Sequence, residues 1–174
     1  VDRERISLGI KQLDSDPFTT FTSINDKGQI DGQGFLRITG RVKDIFKTSK
    51  GKYVAPAPIE NKLMINQSIE VACVMGIGEP QPIGLLMLNP ESRARMDEDQ
   101  FECLNAELSG LMRTVNTTLD PHEQLSVLVV VNDQWSIANG FLTPTMKIRR
   151  NVVEERYAPF IEEWNACGKS VIWQ

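Results

Sequence analysis

The sequence predicts an α+β fold: a small three-stranded sheet with flanking helices, preceded by β-hairpins. Three observations carry that expectation. Apolar runs bounded by breakers recur at 70–78, 82–89 and 124–133, as strands do. One long segment, 97–119, repeats its apolar residues at helical spacing. Ahead of both lie two turn-rich stretches flanked by alternating residues, the pattern of hairpins.

The first 23 residues have no clean period, and "SDPFTTFTS" reads as a polar segment detached from a larger surface. "QIDGQGFLRITGR" reads as a hairpin, with turn chemistry from Asp31 to Gly34 and alternation from Phe35 to Thr39. "DIFKTSKGKYVAP" predicts a second hairpin turning at Lys50-Gly51. "APIENKLMINQ" follows as a short helix, in which Pro58 is tolerated in the first turn and Glu60 lies near the positive end. "EVACVMGIG" and "PIGLLMLN" fit two strands joined by a Gly/Pro-rich loop. In the long helix, Phe101, Leu104, Leu108, Leu111, Met112 and Val115 form one apolar stripe, led by acidic residues that suit the helix N-terminus. That stripe reads as core. "QLSVLVVVND" is apolar enough to be covered on both faces. The chain closes on a helical segment broken at Pro159. A boundary is expected near Gly40-Arg41, separating 1–39, the tail of a larger domain with a lead-in hairpin, from a domain at 40–174.

At 174 residues, 41% hydrophobic and 24% charged, the chain has the composition of a soluble domain. A domain of that length buries roughly 70% of its unfolded surface. The net charge of −4 argues against nucleic acid or an anionic membrane as the general partner. No apolar run reaches the ~20 residues of a membrane span, and the opening "VDRERISLGIKQL" lacks the apolar core expected of a signal peptide. The missing initiator Met predicts a fragment or a processed chain. Cys73, Cys103 and Cys167 are odd in number and widely spaced, so they read as reduced, mostly buried thiols of a cytoplasmic protein. The only histidine, His122, sits in a turn and offers no triad. Asp97-Glu98-Asp99 lacks alternating ligand spacing, so it reads as a helix start and no metal ligands are assigned.

Positive charge gathers in two places. Arg37, Arg41, Lys43, Lys47, Lys50 and Lys52 fall within sixteen residues that contain one acid, Asp44. The second cluster is Lys147, Arg149 and Arg150, in "TPTMKIRR". An acidic protein that concentrates cations in this way meets either solvent or an anionic small molecule there. Charge alone does not separate the two.

The wording of these stretches is more specific. "GFLRITGRVKDIFKTSKGKYVAPAPIE" (34–60) resembles the hinge and hairpin region of the AMP-forming acyl-CoA synthetases, within the adenylate-forming superfamily. "NGFLTPTMKIRRNVVEERY" (139–157) resembles the closing motif of the same family, and the wording is most similar to the long-chain fatty-acyl branch. The resemblance runs from about Asp26 to Gln174 and implies a small C-terminal lid domain. It implies two steps: ATP and a carboxylate give an acyl-adenylate and pyrophosphate, then the lid swings and coenzyme A takes the acyl group. ATP, Mg2+ and coenzyme A would be bound mainly with a large N-terminal domain, whose ATP loop, adenine contacts and acyl tunnel are absent from this sequence.

The resemblance also implies roles. Lys147 matches the adenylation lysine, Lys43 the hinge position, and Arg41 and Asp26 the nucleotide contacts. Gly51 falls in the hairpin that lines the coenzyme A channel, with Lys50 and Lys52 placed to meet its phosphates. Glu60 matches a family position and reads as structural. Two departures stand out. Ile24-Asn25 replaces the Thr-Gly that precedes the aspartate in relatives, and Met146 replaces a common Gly before the lysine, which should stiffen that loop. The implied partners are the large N-terminal domain, a fatty acid, ATP and coenzyme A, with no nucleic acid and with peripheral membrane contact through the acyl substrate. Rival readings are another adenylate-forming enzyme, acting on aryl acids or passing its acyl group to a carrier protein, and a non-catalytic anion-binding or interaction domain.

Overall fold

The computed structural model describes residues 26–30, 36–41, 44–94 and 98–174. The chain divides into two compact units, Val1–Lys43 and Asp44–Gln174. In the first, β1 (Asp26–Ile30) and β2 (Leu36–Arg41) form an antiparallel hairpin, with Ile30 opposite Leu36. Its expected turn and the first 25 residues lie outside the described residues.

The second unit opens with a tight hairpin, β3 (Phe46–Lys47) and β4 (Tyr53–Val54). Helix α1 (Pro56–Leu63) follows at once, with proline in its first turn, where no backbone N–H is needed. Strands β5 (Ile69–Met75) and β6 (Ile83–Leu88) pair antiparallel. A short α2 (Pro90–Ala94) leads to the long α3 (Glu98–Asn116), then to β7 (Val127–Val130). The end of the chain holds α4 (Arg150–Tyr157), one 3-10 turn at Ala158–Phe160, α5 (Ile161–Ala166) and β8 (Val171–Trp173). The helix break at Pro159 is therefore where the sequence places it.

The α+β class holds, but the sheet has four strands, not three. The order is β5-β6-β7-β8, antiparallel for the first pair and parallel for the other two. The added strand is only three residues long, and its place comes from tertiary contacts. Trp173 donates its indole N–H to Asn105 at 3.0 Å, and its ring lies 4.9 Å from that of Phe101.

Alternation along the strands sends residues to opposite faces, so each face builds its own core. Leu86, Leu88, Leu128 and Val130 pack with Ile59, Leu63, Leu104, Leu108 and Met112 beneath α1 and α3. On the other face, Ile83, Leu85, Met87, Val127 and Val129 meet Trp135, Phe141, Val153, Tyr157 and Trp164 from the closing segment. Gly84 is required by packing: a Cβ there would come within 2.6 Å of Leu128 Cδ2.

Cysteine placement corrects one expectation. Cys73 is buried in β5, but Cys103 and Cys167 are exposed, so the thiols are not mostly buried; all three are free. Cys103 lies off the apolar stripe of α3, one residue before Leu104. Burial pushes the Cys73 thiol up to about 12, and also pushes the Tyr157 hydroxyl, held between Trp135 and Asp133, up to about 12. Both groups bind their protons more tightly folded than unfolded, where their ordinary values are 9.0 and 10.0. Their stabilising effect is complete below those unfolded values and is lost as pH rises through the window up to about 12. Thermal melts should therefore show the melting temperature falling above pH ~9, and Cys73→Ala should delay the onset toward pH ~10. A flat profile over that window would contradict these placements.

Candidate functional site

Residues 142–148 fold into a turn that closes on itself. Leu142 and Ile148 form an antiparallel bridge. Inside it, the Thr143 N–H donates to the Lys147 carbonyl at 2.8 Å, and the Lys147 N–H donates back to Thr143 Oγ1 at 3.1 Å. The Met146 N–H closes an inner turn on the Thr143 carbonyl at 2.8 Å, and the hydroxyls of Thr143 and Thr145 lie 3.0 Å apart. Phe141 and Leu142 are buried in the second core, so the base of the loop is fixed while its tip points to solvent.

Lys147 is exposed on this tip. Among the described residues its ammonium makes no hydrogen bond or ion pair. A compact charge on a long stem, held by a hydrogen-bonded turn and without a partner among the described residues, is suited to meet an anion that arrives from elsewhere.

Met146 takes a backbone conformation that favours glycine. Its φ is +60°, in the left-handed region, and its side chain is 62% exposed. Glycine adopts that conformation freely, whereas a side-chain-bearing residue incurs about 1–2 kcal/mol. The Met146 N–H bond to the Thr143 carbonyl, at 2.8 Å, closes the turn around this strained backbone.

The three basic residues of "KIRR" do not form one patch. Arg149 reaches the Gly140 carbonyl at 3.4 Å and stays exposed. Arg150 turns inward. Its Nη2 donates to Glu60 Oε2 at 2.6 Å, and its Nη1 donates to the Val74 carbonyl at 3.2 Å. Glu60 Oε1 in turn accepts the Val74 N–H at 2.7 Å. Burial by itself would lower the affinity of the guanidinium for its proton, but the hydrogen bond and charge of Glu60 outweigh it and hold Arg150 above its ordinary value. Sequence reasoning placed Glu60 as structural, but it missed Arg150 as its partner. One signal was available: a cation at the first position of α4 opposes the helix dipole, so something outside the helix must favour it.

The β3–β4 hairpin carries the second cation group. Its tip is a three-residue loop in which the Gly51 N–H bonds the Thr48 carbonyl and the Thr48 N–H bonds the Lys52 carbonyl, each at 2.9 Å. Gly51 takes φ +77°, the left-handed position this loop requires. Thr48 Oγ1 bonds across to the Lys52 backbone at 3.2 Å. Lys47 sits 5.7 Å from the Tyr53 ring centroid. Lys50 and Lys52 are exposed, and among the described residues their ammonium groups have no hydrogen-bond or ion-pair partner. The Ser49 N–H bonds the Glu79 carbonyl and the Gly78 N–H bonds the Lys47 carbonyl, which seats the hairpin on the β5–β6 loop.

Asp26 and Arg41 are register partners across β1 and β2. Lys43 lies outside the described residues. The hairpin cations and Lys147 belong to one compact unit, but no hydrogen bond links the two loops among the described residues. What connects them is α1, which follows the hairpin and carries Glu60, the partner of Arg150. Among the described residues no group of three or more His, Cys, Asp and Glu could hold a metal ion. No helix there is long and apolar enough to cross a membrane.

Comparison with known proteins bears on this geometry. The chain is 31% identical over 166 residues to the long-chain-fatty-acid–CoA ligase FadD15 of Mycobacterium tuberculosis, covering 87% of this chain and 28% of that protein. It is 32% identical over 131 residues to the chloroplastic long-chain-fatty-acid–[acyl-carrier-protein] ligase AEE15 of Arabidopsis thaliana, covering 75% of this chain and 18% of that protein. The chain thus spans less than a third of these relatives. In fold it is similar to the adenylation domain of a carboxylate reductase from Mycobacterium chelonae, with TM-score 0.67, 19% identity, 87% of this chain and 25% of that one covered. The A domain of a carboxylic acid reductase from Segniliparus rugosus, solved with AMP and a co-purified carboxylic acid, gives TM-score 0.63 at 21% identity, covering 88% of this chain and 26% of that one. Residues 43–167 match the family described as the AMP-binding enzyme C-terminal domain, and the chain belongs to that family.

Proposed function

We propose that this chain is the C-terminal lid of an ATP-dependent, AMP-forming long-chain fatty-acid–CoA ligase. The observation that carries the reading is Lys147: an exposed amine on a self-closed turn, without a hydrogen-bond or ion-pair partner among the described residues, in a chain of this family and similar to ligases of that name. In the first step Lys147 meets the fatty-acid carboxylate and the α-phosphate of ATP. There it stabilises the charge that builds as pyrophosphate leaves. Lys43 is the hinge on which the lid turns, a role that asks for backbone rotation rather than substrate contact. In the second step the β3–β4 hairpin lines the coenzyme A channel: Gly51 leaves room for the ligand, and Lys50 and Lys52 meet its phosphates. Asp26 and Arg41, already opposite one another on the first hairpin, contact the nucleotide. Mg2+ accompanies ATP and is held by groups of the large N-terminal domain. The boundary between that domain's tail and the lid, expected at 39/40, would fall inside β2 (Leu36–Arg41); we place it after that strand, where the two compact units divide at Lys43 and Asp44. The enzyme works in the cytoplasm and meets membranes through its acyl substrate.

Catalysis needs groups from both domains in near-attack geometry, so the test uses the full-length polypeptide. Supplied with a long-chain fatty acid, ATP, Mg2+ and coenzyme A, it should release AMP and pyrophosphate and form the acyl thioester. Release of ADP and phosphate, or no turnover of any fatty acid, would contradict the reading. A second reading is favoured by the likeness to AEE15: the acyl acceptor is the phosphopantetheine of a carrier protein. Faster acyl transfer to holo-acyl-carrier protein than to coenzyme A would select it.

A further inference from the structure

We propose that Glu60 and Arg150 form a clamp that positions Lys147, acting round the open edge of the sheet. The inference rests on the adenylation role proposed above for Lys147. Strand β5 is the sheet edge, and an edge strand leaves backbone groups without a neighbouring strand. At Val74 both groups are taken by one ion pair. Glu60 accepts the N–H at 2.7 Å, and Arg150 donates to the carbonyl at 3.2 Å, while the two side chains meet at 2.6 Å. Glu60 comes from α1, which packs on one face of the sheet through Ile59 and Leu63. Arg150 comes from α4, which packs on the other face through Val153 and Tyr157. The pair therefore joins a helix on each face at a single residue of the strand between them, Val74.

What the clamp holds is the lysine loop. The hydrogen bonds within 142–148 give that loop its shape but not its direction relative to the sheet. Direction is set where the loop joins the body: at Phe141, whose carbonyl accepts the Arg149 N–H at 2.8 Å, and at Arg150, three residues after Lys147. Helix α4 has no side-chain N-cap and begins with a cation that its own dipole disfavours. The start of the helix is thus determined by the bonds Arg150 makes outside it. Since Glu60 follows the β3–β4 hairpin on α1, the same pair also ties the lysine loop to the helix behind that hairpin. Arg150 touches no reacting group; it is a positioning residue whose effect passes through Lys147.

The test compares Arg150→Met, Arg150→Lys, Glu60→Gln, Lys147→Ala and the double variant Lys147→Ala/Arg150→Met in the full-length polypeptide. Each is assayed well below its own melting temperature. Adenylation is followed by fatty-acid-dependent ATP–pyrophosphate exchange, and thioester formation from supplied acyl-adenylate. Misplacing the amine by an ångström should cost Arg150→Met about 10²-fold in the rate constant of adenylation with little change in KM for ATP. Arg150→Lys and Glu60→Gln, which keep the fold's shape, should fall between it and the parent. Thioester formation should be largely kept. In the Lys147→Ala background, Arg150→Met should add no further loss. The clamp is overturned if Arg150→Met lowers both half-reactions by one common factor, or if it costs its full factor when Lys147 is already absent. Normal adenylation by Lys147→Ala alone would instead overturn the underlying reading of Lys147.

Discussion

Lys147→Ala in the full-length protein should lose adenylation by roughly 10²–10³-fold, the cost of removing one positioned charge from a transition state that develops negative oxygen. The expectation follows from where the structure holds the amine. It is exposed, unpartnered among the described residues, and carried on a turn whose backbone is closed by its own hydrogen bonds. Such a group needs little reorganisation to meet an anion. A unit charge 4 Å from another interacts by about 4 kcal/mol at an effective dielectric near 20, enough for losses of that size. Formation of the thioester from supplied acyl-adenylate should survive, because in the proposed second step the β3–β4 hairpin, not the lysine loop, faces the reactants. Lys147→Arg should not restore the first step: its planar fork cannot replace a compact point charge without moving the loop. Equal loss in both half-reactions would show that the residue is not a partner of the first step.

Glu60→Ala should be strongly destabilising, by about 3 kcal/mol. It leaves the Arg150 guanidinium partly buried without its counter-charge and strips the Val74 N–H of its acceptor. For a domain of this size that is a fall in melting temperature of roughly 10 °C. Replacing both partners by apolar residues of similar volume, as in Glu60→Leu/Arg150→Met, should recover much of the loss, since no unpaired charge then remains. A Glu60→Ala variant that melts with the parent would contradict the burial and bonding described for this pair. So would a double variant less stable than Glu60→Ala itself.

Much of the fold was legible because local pattern and tertiary environment agree. Strands β5, β6 and β7 are apolar on both faces because helices cover both, and the α3 stripe lies against the sheet as its spacing demands. The second hairpin was legible from Gly51, whose left-handed backbone the turn needs. What stayed hidden depends on contacts distant in sequence. Val171–Trp173 is too short to show a period, and only its pairing with β7 and the Trp173–Phe101 packing make it a strand. The strain at Met146 cannot be read from a methionine. Arg149 and Arg150 look alike in sequence, yet one faces solvent and the other closes a bridge to a residue ninety positions away. The exposure of Cys103 could have been found, since it sits about 100° round the helix from Leu104.

The proposed function requires a swinging lid to bring one amine to a reacting phosphate. The measurement that meets it most directly is a crystal structure of the full-length protein with a non-reactive acyl-adenylate mimic. The account predicts Lys147 Nζ within hydrogen-bond reach, about 2.7–3.2 Å, of an oxygen on the phosphate or acyl carbonyl in the adenylating pose. An amine that stays beyond contact range of the mimic in every pose of the lid would contradict it.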